Sequence, residues 1–236
     1  EPITAGGGII VPVAEYYPIL QAICKKYGVY LIMDEVVCGF GRTGKSWGFE
    51  HYEVDPDMVT MAKGLASSYM PLSATVARQA IYDKFLCDPA DPEDGINYFR
   101  DISTYGGCAG ATVAALESTR IIEDENLVEN SRVVGAYLVE SLQALSDMPI
   151  VGQVRGKGLF CGIEFVADKT TRAPVSEATM AKLMGDLTAE GVLAGRTNSS
   201  IPGLNNVMNF APALIITRKQ VDKIVTAVKK AIEKSC

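Results

Sequence analysis

The sequence predicts an α/β fold, and three neighbouring segments support this prediction. A helix is predicted after Pro12, to about Tyr27, with Tyr16, Ile19, Leu20, Ile23 and Tyr27 on one face. It ends at Gly28, a residue suited to the left-handed position after a helix. The apolar run 29–33 follows without alternation, which is typical of a strand buried on both faces of a parallel sheet. A second short apolar run, 58–61, predicts another strand. Such an order of helices and strands is typical of βαβ elements.

Ionisable residues follow both predicted strands. Asp34 and Glu35 come directly after the first strand, and Lys63 comes two residues after the second. Ligands of open α/β sheets bind at the carboxyl ends of the strands, so an acid and a lysine are expected at one sheet edge. A pyridoxal phosphate site needs this pairing, because a lysine forms the Schiff base and an aspartate keeps the pyridinium nitrogen protonated.

Several motifs occur together in one order, although each alone would be uninformative. The residues are Asp34-Glu35-Val36, Gly39-Phe40-Gly41-Arg42-Thr43-Gly44, Asp55-Pro56-Asp57, Ala62-Lys63-Gly64 and Pro71-Leu72. They resemble the class III aminotransferases, which use pyridoxal phosphate. The resemblance covers nearly the whole chain. Within the ω-amino acid:pyruvate branch it is closest to the taurine-type enzymes.

The resemblance implies fold type I: a large, mostly parallel seven-stranded sheet domain with helices on both faces, and a small α/β domain. Residues 1–148 would be the C-terminal part of the large domain with a linker helix, and 149–236 the small domain. In the family, the glycine-containing phosphate cup and the aromatic residue that stacks on the cofactor precede the motif matched by Glu1-Pro2. We therefore expect this chain to be the C-terminal portion of such an enzyme.

The composition of the 236 residues excludes some classes of protein. A formal net charge of −6 argues against nucleic-acid binding, which usually shows a basic surface. No apolar run approaches the roughly 20 residues of a membrane span. The six cysteines are scattered and the only histidine is His51, so neither a metal site nor a disulfide framework is predicted. Reduced thiols in a cytoplasmic protein are the expectation.

The resemblance assigns roles to four residues. Lys63 would form the Schiff base and then move the proton between substrate and cofactor carbons, while Asp34 would pair with the ring nitrogen. Val36 would pack on a ring face, or belong to the ordinary core. Thr104, in Thr104-Tyr105-Gly106-Gly107, would reach the cofactor phosphate of the neighbouring subunit in a homodimer with shared sites. On its own, a Thr before a helix is commonly a cap.

Two arginines are candidates for the acid group of the substrate, and a third is not. Arg155 matches the family's Val-Arg-Gly-x-Gly segment, and Arg196 precedes the loop in which the family carries a mobile arginine. Whether Arg155 contacts substrate stays open, and Arg196 could instead be only a surface residue. Arg42 is predicted to fix its own loop.

The remaining pattern predicts further elements. Helix starts are indicated by Ser176 and by the capping box of Thr217 and Gln220. We expect a buried strand at 73–77, helices at 79–85, 109–123, 127–146, 177–190 and after 217, a surface loop at 87–98, and strands at 159–166 and 207–210.

The expected reaction is transfer of an amino group from an ω-amino acid or amine, such as taurine or β-alanine, to pyruvate. Relatives that use α-ketoglutarate often carry Gln and a second Glu where this chain has Thr4 and Gly6. An acceptor with one carboxylate is therefore expected. An aminomutase or racemase of the same family, or a non-catalytic fragment or assembly module, stays open. A degenerate paralogue should have lost Lys63 or Asp34.

Overall fold

The computed structural model describes residues 1–86, 90, 98–99, 101, 103–197 and 201–235, and these contain six α-helices and seven strands. The helices are α1 Tyr16–Tyr27, α2 Gln79–Tyr82, α3 Ala109–Asp124, α4 Leu127–Gln143, α5 Glu177–Ala189 and α6 Arg218–Glu233. The strands are β1 Ile32–Asp34, β2 Met58–Met61, β3 Ala74–Ala77, β4 Val151–Lys157, β5 Phe160–Phe165, β6 Gly195–Arg196 and β7 Val207–Phe210.

The first sheet has the order β1-β2-β3, with β1 parallel and β3 antiparallel to β2. Helix α1 covers one face, where Tyr17 packs with Leu31 and Met33. The prediction that the first strand is buried on both faces is wrong for the described residues, because they cover only the face of β1 that meets α1. Ile32 points away from α1 and is 51% exposed. Strand β3 forms as predicted but is exposed rather than buried.

Helix α1 ends as predicted at Gly28, which has a left-handed φ of 65°. Its predicted apolar face is displaced. The side chains that meet the sheet are those of Tyr17, Leu20 and Cys24, at helical spacing. Most of the predicted stripe is exposed instead, namely Tyr16, Ile19, Ile23 and Tyr27.

The second sheet is antiparallel throughout, in the order β4-β5-β7-β6. Two of its strands were not predicted: β4 contains Gly152 and Gly156, and β6 has only two residues. Helices α4, α5 and α6 pack on one face and form the largest core. Leu138 and Leu142 of α4 are buried there, so the predicted linker helix packs into the second core. The domain boundary at 148/149 stays a prediction.

The predicted helix caps of this second part are confirmed. Ser176 accepts from the backbone N–H of Thr179, and Thr217 and Gln220 form the reciprocal capping box. The predicted surface loop at 87–98 lies mostly outside the described residues.

The loop 39–44 joins the two sheets. The guanidinium of the half-buried Arg42 donates to the carbonyl oxygens of Leu159, at 3.2 Å, and Pro212, at 2.5 Å. A Cβ on Gly158 would lie 2.3 Å from the carbonyl carbon of Thr43, so only glycine allows this approach. The structural role predicted for Arg42 therefore matches its contacts.

Candidate active site

Asp34 ends β1, and the parallel register places it opposite Thr60 of β2. Its Oδ1 accepts hydrogen bonds from the backbone N–H of Val36, at 3.0 Å, and from Thr60 Oγ1, at 3.3 Å. Asp34 is exposed, and the limited loss of hydration beside the protein acts to raise its pKa. Hydrogen bonds from Val36, Glu1 and Thr60 outweigh this effect and hold the pKa below its usual value. Asp34 is therefore a carboxylate at neutral pH.

Lys63 follows β2 and starts the short 3₁₀ turn Lys63–Ala66. Its φ of 42° is left-handed, a conformation that costs energy for any residue with a Cβ. Helix α3 stabilises this turn, because the hydroxyl of Ser118 donates a hydrogen bond to the carbonyl oxygen of Gly64 at 3.3 Å. The Lys63 side chain is exposed, and no acid among the described residues forms an ion pair with it. Backbone strain of this kind is typical of functional sites.

Glu35 points the opposite way from Asp34, as the next residue along an extended chain must. Its carboxyl group is fully buried and accepts the N–H groups of Gly48 and Phe49, each at 2.8 Å. Burial raises the pKa of Glu35 to about 7, against the lowering effect of these two hydrogen bonds. Glu35 thus anchors the loop that follows, a role that sequence reasoning missed although strand alternation predicts the direction.

Glu1 is a second residue of the site that sequence reasoning did not single out. Its Oε1 accepts the N–H of Val37 at 2.8 Å, and its carbonyl oxygen accepts the hydroxyl of Tyr17 at 2.8 Å. Burial is the main cause that raises the pKa of Glu1, and the neighbouring carboxyl group of Asp34 adds to it. The structure therefore gathers Glu1, Asp34 and Val36 at the end of β1, beside the strand that leads to Lys63.

Thr104 lies in the exposed turn before α3, in which the N–H of Gly106 donates to the carbonyl of Ser103 at 3.0 Å. The N-cap of α3 is Cys108, and it makes no side-chain capping bond. The alternative that Thr104 is a helix cap is therefore wrong. No hydrogen bond within the described ranges joins Thr104 to Asp34 or Lys63.

Arg155 of β4 is occupied by protein partners. Its Nε donates to the carbonyl of Gly8 at 2.8 Å, and its NH1 donates to Gln153 at 2.8 Å and Glu164 at 2.5 Å. The side chain is only 14% exposed. These contacts tie the glycine-rich segment 6–8 to the second sheet.

Arg196 of β6 is also engaged. Its Nε donates to the carbonyl of Asn205 at 2.9 Å, and its guanidinium forms an ion pair with Glu177, the first residue of α5. Arg155 is aligned across the sheet, through β5, with Asn209 of β7 and Gly195 of β6. Arg196 is the next residue of β6 and pairs with Met208. The two arginines therefore lie on opposite faces of the second sheet, and neither joins the group around Asp34.

The comparison with known protein families decides the identity of this arrangement. Residues 1–232 match the family described as Aminotransferase class-III. The chain belongs to the class III aminotransferases. Their fold is the fold type I of pyridoxal phosphate-dependent enzymes, as the sequence predicted.

Individual class III aminotransferases are similar over the same range. The taurine–pyruvate aminotransferase of Bilophila wadsworthia is 50% identical over 232 residues, which cover 98% of this chain and 50% of that protein. The taurine–pyruvate aminotransferase of Rhodobacter capsulatus is 48% identical over 235 residues, with 99% and 50% covered. The chain thus spans about half the length of the curated relatives that it matches.

Solved aminotransferase structures show the same fold. An aminotransferase of Bacillus anthracis superimposes with a TM-score of 0.93 at 40% identity, covering 99% of this chain and 51% of that one. A transaminase of the marine bacterium Virgibacillus gives a TM-score of 0.89 at 34% identity, with 99% and 52% covered.

The residues of this aminotransferase chain suit pyridoxal phosphate, the cofactor of the family. Asp34 offers an ionised carboxylate, the group that pairs with a protonated ring nitrogen, and Lys63 offers an exposed amine. The part of the chain that the structure describes shows no group of three or more His, Cys, Asp or Glu arranged for a metal ion. None of its helices is long and apolar enough to cross a membrane.

Proposed function

We propose that the complete protein is a pyridoxal phosphate-dependent aminotransferase that moves an amino group from an ω-amino acid or amine, such as taurine or β-alanine, to pyruvate. The observation that carries this proposal is the placement of Asp34 and Lys63 after neighbouring parallel strands. The relatives named taurine–pyruvate aminotransferase support the choice of substrates.

Each residue near the strand ends would have one task. Lys63 would hold the cofactor through its amine and, once released, carry a proton between two carbon atoms. Asp34 would accept a hydrogen bond from the protonated ring nitrogen, and Val36 would pack on a ring face. Bound pyridoxal phosphate supplies the electron sink that the reaction needs.

Arg196 is our first candidate for binding the acid group of a substrate, ahead of Arg155. Arg155 has three protein partners and little exposure. The partner of Arg196, Glu177, is 54% exposed, so the ion pair can open at small cost because exposed pairs contribute little. A substrate acid group would then take the place of the Glu177 carboxylate.

Thr104 would act in a homodimer, by donating its hydroxyl to the cofactor phosphate of the neighbouring subunit. Its exposure, and that of the neighbouring Tyr105 and of Val113 on α3, are in keeping with a surface that meets another subunit. Hybrid dimers of Thr104→Ala and Lys63→Ala subunits test this. They should contain one site with both defects and one intact site, whereas Thr104→Ala homodimers are impaired at both.

The proposed function is tested by the site of cofactor attachment. Borohydride reduction of the complete enzyme, followed by peptide mass spectrometry, should place pyridoxal phosphate on Lys63. Lys63→Ala should abolish this labelling, and Lys45→Ala, in the exposed loop nearby, should leave it unchanged. Labelling of a different lysine in the Lys63→Ala variant would overturn the assignment.

The acceptor is tested separately, with one ω-amine donor and two keto acids. Since Thr4 and Gly6 replace the Gln and Glu of relatives that use α-ketoglutarate, kcat/KM should be higher for pyruvate. A higher value for α-ketoglutarate would refute the substrate assignment and leave the assignment of Lys63 intact.

A further inference from the structure

We propose that Glu1 is a positioning residue that acts as a neutral carboxylic acid and donates its proton in a hydrogen bond to the carboxylate of Asp34. The hydrogen bond itself is a property of the folded chain. Its effect on turnover rests on the proposed function, in which Asp34 holds the ring nitrogen of the cofactor.

The position of the Glu1 carboxyl group is fixed by its neighbours. Oε1 accepts the N–H of Val37 at 2.8 Å, and the hydroxyl of Tyr17 holds the carbonyl oxygen of the same residue at 2.8 Å. Oε2 is buried and meets no hydrogen-bond donor among the residues described. Oε2 is therefore the atom that can carry the proton.

Burial and the neighbouring acids oppose a charge on Glu1. Asp34 and Glu35 at the end of β1 are both acids, and Glu35 is fully buried. The N–H of Val37 and the thiol of Cys38 favour the charged form of Glu1, but burial and Asp34 outweigh them and raise its pKa. An ionised Glu1 would thus leave a buried carboxylate oxygen unpaired beside two acids, which is costly.

Of the two neighbouring acids Glu1 and Asp34, one is neutral and one is charged. The acid that accepts more hydrogen bonds is the one that stays charged. Asp34 already accepts hydrogen bonds from Val36 and Thr60. Glu1 accepts a single backbone N–H. A proton on Glu1 satisfies Oε2 and gives Asp34 a further donor, so the proton stays on Glu1 while Asp34 remains a carboxylate. The opposite shifts of the two pKa values agree, since the pKa of Glu1 is raised and that of Asp34 is lowered.

The first experiment needs no cofactor. Difference infrared spectroscopy of the complete protein, prepared without cofactor, near pH 6 should show a protonated carboxyl band that Glu1→Gln removes. Because Glu35 also has a raised pKa, Glu35→Gln should remove a separate band and leave that of Glu1 in place. If Glu1→Gln removes no protonated carboxyl band, the proposal is overturned, whatever the enzyme's activity.

The second experiment uses the complete enzyme loaded with pyridoxal phosphate. In Glu1→Gln the amide can accept from Val37 and donate to Asp34, so kcat should stay within about threefold. Glu1→Met has neither group, so kcat should fall by about tenfold, the loss of one charge-assisted hydrogen bond, with KM little changed. The acidic limb of its kcat/KM profile should move to higher pH, because Asp34 loses a donor.

The two variants separate positioning from a merely structural role. Equal losses of kcat in Glu1→Gln and Glu1→Met, without a shift of the acidic limb, would refute the role in turnover. If Glu1→Met fails to fold, the infrared result of Glu1→Gln remains the deciding measurement. Failure of the proposed function would appear elsewhere, as cofactor labelling that does not depend on Lys63.

Discussion

Thr60 donates a hydrogen bond to Asp34 across the β1–β2 pair, with 3.3 Å between Oγ1 and Oδ1. The two residues are also partners in the parallel register. The same register sets the position of Lys63, which lies three residues after Thr60, just beyond the end of β2. The pairing of β1 with β2 thus determines the position of Asp34, its hydrogen bond with Thr60, and the point at which the chain leaves the sheet towards Lys63.

Removal of this hydroxyl should weaken the site without disturbing the sheet. Thr60→Val keeps the shape and the strand preference of the side chain but deletes a donor to Asp34. We expect kcat of the complete enzyme to fall by about three- to tenfold, which is the effect of losing one hydrogen bond of about 1 kcal/mol. Thr75→Val is the matched control, since Thr75 pairs with Thr60 on β3 and makes no bond to Asp34. Equal effects of both substitutions would contradict the assignment.

The backbone of Lys63 leads to a prediction about stability that is independent of catalysis. At a φ of 42°, glycine avoids the strain that any Cβ brings. Lys63→Gly should therefore be more stable than Lys63→Ala by about 1 kcal/mol. The same two substitutions at Lys45, where φ is not positive, should favour alanine or show no difference. Denaturant unfolding of the four variants gives the comparison, and a Lys63→Ala variant as stable as Lys63→Gly would show that the turn relaxes.

Sequence patterns predicted the elements that carry the strongest local signals. Asp34 and Lys63 follow apolar runs, and Ser176 and Thr217 begin helices with side chains that satisfy free N–H groups. These signals are local, so the chain itself specifies them. The domain boundary and the roles of the site residues stay predictions.

Tertiary context decided what the patterns did not. The exposure of Ile32 depends on what covers the second face of β1, and the partner of Arg196 depends on where α5 begins. Neither fact is encoded near the residue itself. The contact of Glu1 with Asp34 joins residues 33 positions apart and becomes visible only in the fold.

Glu35 should make the stability of the protein depend on pH. Its pKa is about 7 in the folded chain against 4.5 ordinarily, so between these values the folded state binds a proton that the unfolded state has lost. Stability should therefore fall as pH rises from 4.5 to 7, by up to about 3 kcal/mol at about 1.4 kcal/mol per pKa unit. Glu35→Gln should flatten this slope, and Glu53→Gln, at an exposed position, should not. The measurement is the free energy of unfolding from pH 5 to 8, and an unchanged slope in Glu35→Gln would assign the effect to another group.

The ion pair between Arg196 and Glu177 allows substrate binding to be tested with two substitutions that should change KM in opposite directions. If the acid group of pyruvate must replace Glu177, then Glu177→Gln removes a competitor, and KM for pyruvate should fall by about two- to fivefold, the range of an exposed pair. Arg196→Met removes the cation and should raise KM by about tenfold or more. Glu129→Gln is the control, because it breaks a comparable exposed pair with Arg132 on α4. If both substitutions at the Arg196 pair lower the melting temperature and leave KM unchanged, Arg196 is a structural residue that ties β6 to the start of α5, and the acid group of the substrate is bound elsewhere.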